Sequence, residues 1–129
     1  MSHKAYLILP DDGTITEVEY DGWESIADLI GAKYIEHVRL DREHRGVYCS
    51  DVGAVDGTKY GVFVEGYKEP IFGNVLYVKS TYGEPVDIDV PIIDAADKFT
   101  VFQKKPAWIG ASPNAPLFLV KSKTPLKIV

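Results

Sequence analysis

The chain has little cysteine for disulfides and no long apolar run that could anchor it in a membrane. It has one cysteine, Cys49, so no disulfide forms within the chain, and a lone thiol is typical of a reducing compartment. The longest apolar runs, such as Ala5–Leu9, are about five residues, far short of a membrane span. No basic segment followed by an apolar stretch opens the sequence, so no secretory signal is predicted. We therefore expect a cytoplasmic protein without membrane contact.

Acidic residues are missing from the last quarter of the chain. Residues 1–97 hold all 19 Asp and Glu residues and 8 of the 14 Lys and Arg residues, a net charge of −11. Residues 98–129 hold six lysines, no acid and the apolar run Pro116–Val120. A basic, apolar tail beside an acidic body is expected to dock on that body or on a second copy. The net charge of the whole chain, −5, makes nucleic acid an unlikely partner class.

A chain of 129 residues suffices for one domain with its own core. The order of its patterns predicts an α+β fold, in which a mixed or mainly antiparallel sheet packs on one short helix. The predicted chain order is β-β-α-β-β, like a β-grasp. We expect residues 1–90 to form this core and residues 91–129 to form a helix and strand extension packed on it.

The first half of the chain has the clearest signals of secondary structure. Two β-rich runs on either side of the turn at 10–13 predict a β-hairpin. Asp21 and Glu24 predict a capping box for a helix that ends at a left-handed Gly31. Its apolar stripe is predicted from the spacing of four residues, Trp23, Ile26, Ala27 and Ile30. Strands are predicted for residues 5–9, 14–20, 34–40, 47–50, 60–65, 74–80 and 86–90.

The signals in the second half are weaker. Asp94 is a candidate N-cap for a second helix through about Gln103, although the β-branched pair Thr100–Val101 disfavours a helix there. Loops are predicted for residues 51–57 and 106–116, and final strands for residues 117–120 and 126–129.

Glu36 is the most unusual polar residue of the predicted strands. In an extended segment its side chain shares one face with Tyr34, Val38 and Leu40. Burial disfavours the charged form of a carboxylate unless it is paired, which suits a general base or a polar anchor inside a pocket. The alternative is a sheet-edge position, or a structural partner for a lysine or a backbone N–H.

All three arginines of the chain fall within seven residues, beside two of its three histidines. The planar guanidinium group suits phosphate and carboxylate, so this segment predicts contact with a small anionic, nucleotide-like ligand. Acidic residues interleave with the arginines and leave a solvated, self-neutralised hairpin tip as the alternative. The candidate ligand-binding residues are Glu36, His37, Arg39, Arg42, His44 and Arg45.

No motif predicts a cofactor, a metal ion or a set of catalytic residues. Asp87 and Asp89 share one face of a predicted strand and have ligand atoms for a hard cation, but their spacing matches no Ca²⁺ loop. A charged edge strand is the alternative interpretation. Cys49 is expected to be a buried structural thiol, and no histidine has metal-ligand spacing with it.

Tyrosines are frequent in the middle of the chain. If they are exposed, they are candidates for stacking on a ligand or anchoring a partner protein. Half-buried sheet positions are the alternative. The tyrosines concerned are Tyr48, Tyr60, Tyr67, Tyr77 and Tyr82.

Several short segments occur in a familiar order: Lys4–Pro10, Asp12–Gly13, Trp23–Ile30, Tyr34–Val38 and Gly73–Val78. On these segments, residues 4–80 resemble a family of small domains of unknown function found mostly in bacteriophage genomes. The resemblance implies a phage accessory protein made inside the host cell, and it transfers no catalytic residue. Members of that family often have a glycine pair where this chain has Gly31-Ala32, and residues 91–129 have no counterpart.

Three functional hypotheses follow from these patterns. The first is a non-enzymatic accessory protein that binds a host protein or sequesters a small anionic ligand through the arginine segment, Glu36 and the tyrosines. The second is an assembly protein that forms a homo-oligomer when its basic tail docks on the next copy. The third is a small hydrolase that uses Glu36 with His37, or with Asp87 or Asp89.

Overall fold

Two sheets and two short helices make up the described part of the chain. The computed structural model describes residues 2–50, 60–106, 117–121 and 126–129, with the backbone only for 103–106 and 117–121. The helices are α1 (Trp23–Ile30) and α2 (Ile92–Asp97). The strands are β1 (His3–Leu9), β2 (Thr14–Tyr20), β3 (Ile35–Arg39), β4 (Arg45–Ser50), β5 (Tyr60–Val64), β6 (Ile71–Phe72), β7 (Val75–Thr81), β8 (Glu84–Val86), β9 (Phe99–Pro106), β10 (Leu117–Lys121) and β11 (Lys127–Ile128).

The larger sheet, sheet A, has the strand order β11-β2-β1-β7-β4-β3, and β8 also pairs with β7. The smaller sheet, sheet B, has the order β10-β9-β5-β6. Every described pairing is antiparallel except that of β11 with β2, which is parallel. The predicted α+β class with a mixed sheet is therefore confirmed.

The predicted N-terminal hairpin is confirmed. Strands β1 and β2 pair in register from His3 opposite Tyr20 to Leu9 opposite Thr14. The turn closes where the Gly13 N–H donates to the Leu9 carbonyl at 2.8 Å, and Gly13 has a φ of 68°, a conformation that glycine adopts at little cost.

Helix α1 forms where its pattern predicts it, but the predicted capping box is wrong. Gly22 occupies the N-cap position and no side chain caps the helix, so Asp21 lies one residue too early to act. The helix ends as predicted at Gly31, whose φ of 67° and ψ of 36° are left-handed. Ile26 and Ile30 are buried as the apolar stripe predicts.

The second predicted helix is half wrong. Helix α2 ends at Asp97, and β9 begins at Phe99. The β-branched pair Thr100–Val101 lies in that strand, because pairing with β5 satisfies the backbone and suits branched side chains. Asp94 lies inside α2, and Pro91 occupies the N-cap position.

The predicted strand at 86–90 is also partly wrong. Strand β8 ends at Val86, and the segment after it is held through the Ile88 N–H, which donates to the Lys4 carbonyl at 2.9 Å. The predicted alternation of buried and exposed side chains is nevertheless present, since Ile88 is buried between the exposed Asp87 and Asp89.

The C-terminal segment contributes to both sheets. Strand β9 lies between β5 and β10, and β11 pairs with β2 at the edge of sheet A. Most of the predicted loops at 51–57 and 106–116 lies outside the described residues, so their conformation stays a prediction. The same holds for docking of the basic tail, because four of its lysines have undescribed side chains: Lys104, Lys105, Lys121 and Lys123.

Sheet A has a different cover on each face. Sheet B and α2 pack on one face, where the shared core includes Tyr77, Val47 and Phe99. Helix α1 packs on the other face, where Ile26 and Ile30 lie with Leu76 and Val78 in a second core. We call these the sandwich face and the helix face. Because α1 has only eight residues, it leaves part of the helix face near β3 and β4 exposed.

Candidate functional site

The residues predicted to form one ligand site lie on different surfaces. Alternation along β3 places His37 and Arg39 on the helix face and Glu36 on the sandwich face. Arg45 on β4 also belongs to the sandwich face, since it is two residues from the core residue Val47. Arg42 and His44 lie in the turn between the two strands. The structure therefore brings these six residues to one end of sheet A but not into one pocket.

Arg45 is bound within the protein. Its Nε donates to Asp89 Oδ1 at 2.9 Å and its Nη2 to Asp89 Oδ2 at 3.1 Å, a bidentate pair. Its Nη1 donates to Asp41 Oδ2 at 3.3 Å, and Lys79 Nζ lies 2.8 Å from Asp89 Oδ2. The hydrogen bond from Arg45 holds the pKa of Asp89 well below its usual range. This network ties the β3–β4 turn to the segment after β8, so Arg45 has a structural role.

Hydrogen bonds hold the β3–β4 turn in a defined conformation. Asp41 Oδ1 accepts from the backbone N–H of Glu43 at 3.0 Å and of Arg45 at 3.1 Å. His44 has a φ of 65°, an uncommon conformation for a residue with a side chain, and its carbonyl accepts from the Ser80 N–H at 3.0 Å. The turn is therefore fixed from within and from β7.

The remaining cationic side chains of the segment point to solvent. Arg39 is exposed, and its Nε donates to the Asp41 carbonyl at 3.2 Å. Arg42 and His44 are exposed, and their side chains form no hydrogen bond or ion pair with any residue that the structure describes. Arg39 is thus the arginine on the open part of the helix face, and Arg42 is the one at the tip.

Glu36 is exposed on the edge strand β3, which agrees with the sheet-edge alternative and not with a carboxylate inside a pocket. Val38, on the same face, is buried. Glu36 lies near the start of β3, close to Tyr67 in the turn after β5. Burial is the main cause that raises the pKa of Tyr67 in that turn, and the carboxylates of Glu69 and Glu36 add to it. A cavity of ≈ 540 Å³ lies at this turn, against Gly66–Glu69.

Three rings form a contiguous row on the helix face, which we call the aromatic strip: Trp23, Tyr48 and His37. The Trp23 and Tyr48 ring centroids lie 5.6 Å apart with their planes nearly perpendicular. The His37 and Tyr48 centroids lie 4.9 Å apart, because these residues are paired across β3 and β4. Trp23 is 63% exposed, although the sequence pattern placed it on the apolar stripe of the helix.

The lack of a side chain at Gly46 leaves room for the His37 ring of the aromatic strip. A Cβ atom at Gly46 would lie 2.8 Å from His37 Nε2 and 2.5 Å from the Val38 carbonyl oxygen, so any side chain would displace the imidazole. Partial burial lowers the pKa of His37 and raises the pKa of Tyr48. Both rings are therefore neutral at neutral pH.

Another exposed ring lies in the bend just before β3. Tyr34 is 57% exposed, and the ammonium group of Lys33 lies 5.5 Å from its ring centroid, a cation–π distance. A cation therefore lies near each end of β3, with Lys33 before the strand and Arg39 as its last residue. Sequence reasoning named these tyrosines and basic residues separately and did not join them to Trp23.

The geometry gives no support to the cation and hydrolase hypotheses. Asp87 Oδ1 accepts from the Lys4 backbone N–H at 2.8 Å, whereas Asp89 faces Arg45, so the two carboxylates do not converge on one ion. Among the described residues, no three His, Cys, Asp or Glu side chains cluster as metal ligands. Glu36 and His37 lie on opposite faces of β3 and do not share a pocket.

The prediction for Cys49 is confirmed in so far as the thiol is buried. Its Sγ lies 3.8 Å from the Glu36 carbonyl oxygen, a weak contact across the two strands. In the part of the chain that the structure describes, neither helix has the length and apolar character to cross a lipid bilayer.

Comparison with known proteins adds no relative. No protein-family model, no curated protein and no solved structure matches the chain. The resemblance of residues 4–80 to the phage-associated domains therefore stays a prediction.

Proposed function

We propose that this chain is a non-enzymatic binding protein of the phage accessory type, and that it binds a host protein through the aromatic strip. The observation that carries the proposal is the row in which Tyr48 contacts both Trp23 and His37, with Trp23 and His37 exposed and Tyr48 half-buried between them. Exposed Trp and Tyr rings beside Arg are the side chains that dominate binding energy in protein interfaces. Neither stability nor packing within the chain requires Trp23 to be so exposed.

The shape of the surface favours a protein over a small ligand. Sites for small molecules are concave and bury most of the ligand, whereas the strip lies on the exposed side of a sheet. The cavity at Gly66–Glu69 belongs to the opposite face and includes neither Trp23 nor Arg39 in its lining. In addition, Arg45 is already paired with Asp89, which removes one of the three arginines proposed for an anion.

The biological setting of the proposed function comes from the sequence resemblance. The phage origin, the host partner and the cytoplasmic location are proposed from the resemblance of residues 4–80. The proposal needs no cofactor. It keeps the β-grasp-like arrangement of residues 1–90, with residues 91–129 as an extension of that core.

The test is capture of the partner with matched variants. The tagged full-length chain is expressed in its host, and the proteins bound to it are quantified for wild type, Trp23→Ala and Tyr82→Ala. Tyr82 is 96% exposed in the turn between β7 and β8, away from the strip, so it is the control for loss of an exposed ring. We expect Trp23→Ala to lower the yield of a stoichiometric partner about tenfold, as a loss of roughly 1.4 kcal/mol implies.

Three outcomes would overturn the proposal. One is equal capture by all three proteins, and another is loss with Tyr82→Ala alone. The third is a small ligand retained in native mass spectra at low salt and lost in Arg39→Ala with Arg42→Ala, which would assign the site to an anion instead.

A further inference from the structure

Strand β3 has an edge that no described strand occupies. It pairs with β4 on one side only. The Leu40 N–H donates to the Arg45 carbonyl at 3.0 Å, which fixes the alternation of the ladder. By this alternation the N–H and C=O groups of Ile35, His37 and Arg39 point away from β4. Three donors and three acceptors therefore line the free edge without a partner among the described residues.

The same residues place their side chains on the helix face. The neutral His37 and the cationic Arg39 are exposed there, and Lys33 precedes the strand, so the side chains that β3 itself presents on this face include a cation and no acid. On the other face Glu36 is exposed and Val38 is buried. A strand added to β3 would place side chains opposite these at Cβ distances of about 5 Å, close enough for charge to select the partner.

We infer that the partner binds as an extended segment that adds a strand to the β3 edge, with acidic side chains at alternate positions on the helix face. This inference rests on the proposed function and specifies its mode and its partner chemistry. Backbone hydrogen bonds to the edge provide affinity, and alternate side chains provide specificity. The side chain opposite His37 lies beside the aromatic strip, so the edge and the strip form one continuous binding surface.

A second copy of the chain suits the edge less well. Two β3 strands paired antiparallel about His37 would place His37 opposite His37 and Glu36 opposite Val38. Neither pair is complementary, and charged side chains on an edge are a common protection against self-pairing. An acidic strand of another protein meets Arg39 and Lys33 instead.

The experiment uses a library of random displayed peptides as the probe and the full-length chain as the target. Enriched peptides are expected to carry Asp or Glu at every second position. Each is synthesised as a series with one backbone amide N-methylated at a time. Because only alternate amides face β3, we expect methylation to weaken binding about tenfold at every second position and little between them.

Protein variants then separate the backbone from the side chains. Proline is tolerated where the N–H of an edge strand points outward, so His37→Pro and Arg39→Pro are expected to fold. Each is compared with the alanine variant at the same position. We expect proline to weaken peptide binding about tenfold more than alanine does, since only proline removes the N–H.

The outcomes distinguish this inference from the proposed function. Peptides that bind without a period-two methylation pattern overturn strand addition, and so does a library that yields no binder. If in either case Trp23→Ala still abolishes capture of the host partner, the strip keeps its function and only the binding mode is wrong. If Trp23→Ala has no effect either, both proposals fail. The methylation series uses wild-type protein, so its result does not depend on the folding of any variant.

Discussion

The two faces of sheet A differ in how completely they are covered. On the sandwich face, sheet B and α2 enclose large side chains such as Tyr77, which is 1% exposed. On the helix face, α1 buries Leu76 and Val78 but ends before it reaches the β3 edge. A helix of two turns is narrower than this seven-strand sheet, so side chains beyond it, such as those of His37 and Arg39 on β3, are exposed to solvent. The candidate site lies on the helix face of sheet A, at the strands that α1 does not cover completely.

The arginines show the same difference between the faces. Arg45 and Arg39 lie six residues apart in sequence, but Arg45 belongs to the sandwich face and Arg39 to the helix face. Arg45 is only 19% exposed and forms ion pairs with three acids, Asp89, Asp41 and Glu43. Arg39 makes one hydrogen bond to a neighbouring carbonyl and keeps most of its guanidinium in solvent. One sequence motif therefore provides a structural residue, Arg45, and an exposed candidate for binding, Arg39.

The largest expected effect is on the covered face. Tyr77→Ala removes a ring that packs edge-to-face on Phe99 at 5.5 Å, and we expect it to lower the free energy of unfolding by about 3–5 kcal/mol. Trp23→Ala, on the open face, is expected to cost less than about 1 kcal/mol. Chemical denaturation followed by circular dichroism measures both. Tyr77→Phe is the control, because it keeps the ring. Equal losses for Tyr77→Ala and Trp23→Ala would contradict the comparison.

An intermediate effect is expected at Arg45. Arg45→Ala removes the bidentate partner of Asp89, which keeps only Lys79, and one partner of Asp41, and we expect it to cost about 1–2 kcal/mol, since solvent around Asp89 screens part of the interaction. Arg42→Ala is the matched control, because this exposed arginine has no described partner, and its cost should stay below about 0.5 kcal/mol. Chemical denaturation at neutral pH measures both losses. An equal cost for both variants would mean that the network does not form.

The Arg45 network also predicts a dependence on pH. The pKa of Asp89 is lowered in the folded protein, so the unfolded chain binds more protons in acid. The contribution of Asp89 is therefore complete at neutral pH and is lost as the pH falls below about 5. Denaturation midpoints from pH 7 down to 3 should decline less steeply for Arg45→Ala than for wild type. Parallel curves for the two proteins would contradict this assignment.

Local patterns predicted the first part of the fold well. The hairpin of β1 and β2, helix α1 and strands β3, β4, β5 and β7 follow from alternation and turn residues within each segment. Prediction failed where a distant partner decides the structure. Residues 99–103 form a strand because β5, some forty residues earlier, pairs with them, and no local pattern contains that information.

The candidate site was predicted only as separate residues. Alternation correctly placed His37 and Arg39 on one face, but it does not state which face is covered. Glu36 is exposed, although it shares a face with the buried Val38, because cover depends on the ends of neighbouring elements. The strip also needs Tyr48 opposite His37 and the first turn of α1 above β4, and both are set by tertiary register.

The smallest expected effect is the titration of His37 on the open face. Partial burial lowers its pKa, so the folded protein favours the neutral imidazole that lies on Tyr48. The unfolded chain takes up its proton first, near pH 6.5, and stability is expected to fall as the pH drops from about 7 to 5. Because His37 is exposed, solvent screens the effect to less than about 0.5 kcal/mol. Denaturation midpoints across this range measure it.

Two glutamine variants show whether this small slope belongs to the strip. His37→Gln removes the titrating ring, and we expect the midpoints between pH 5 and 7 to flatten relative to wild type. His44→Gln is the matched control for loss of an exposed histidine outside the strip, because His44 lies in the β3–β4 turn. Tyr48 stays neutral throughout, since its pKa is raised, so it adds no slope of its own. A wild-type slope that persists in His37→Gln would assign it to another group and would contradict this prediction.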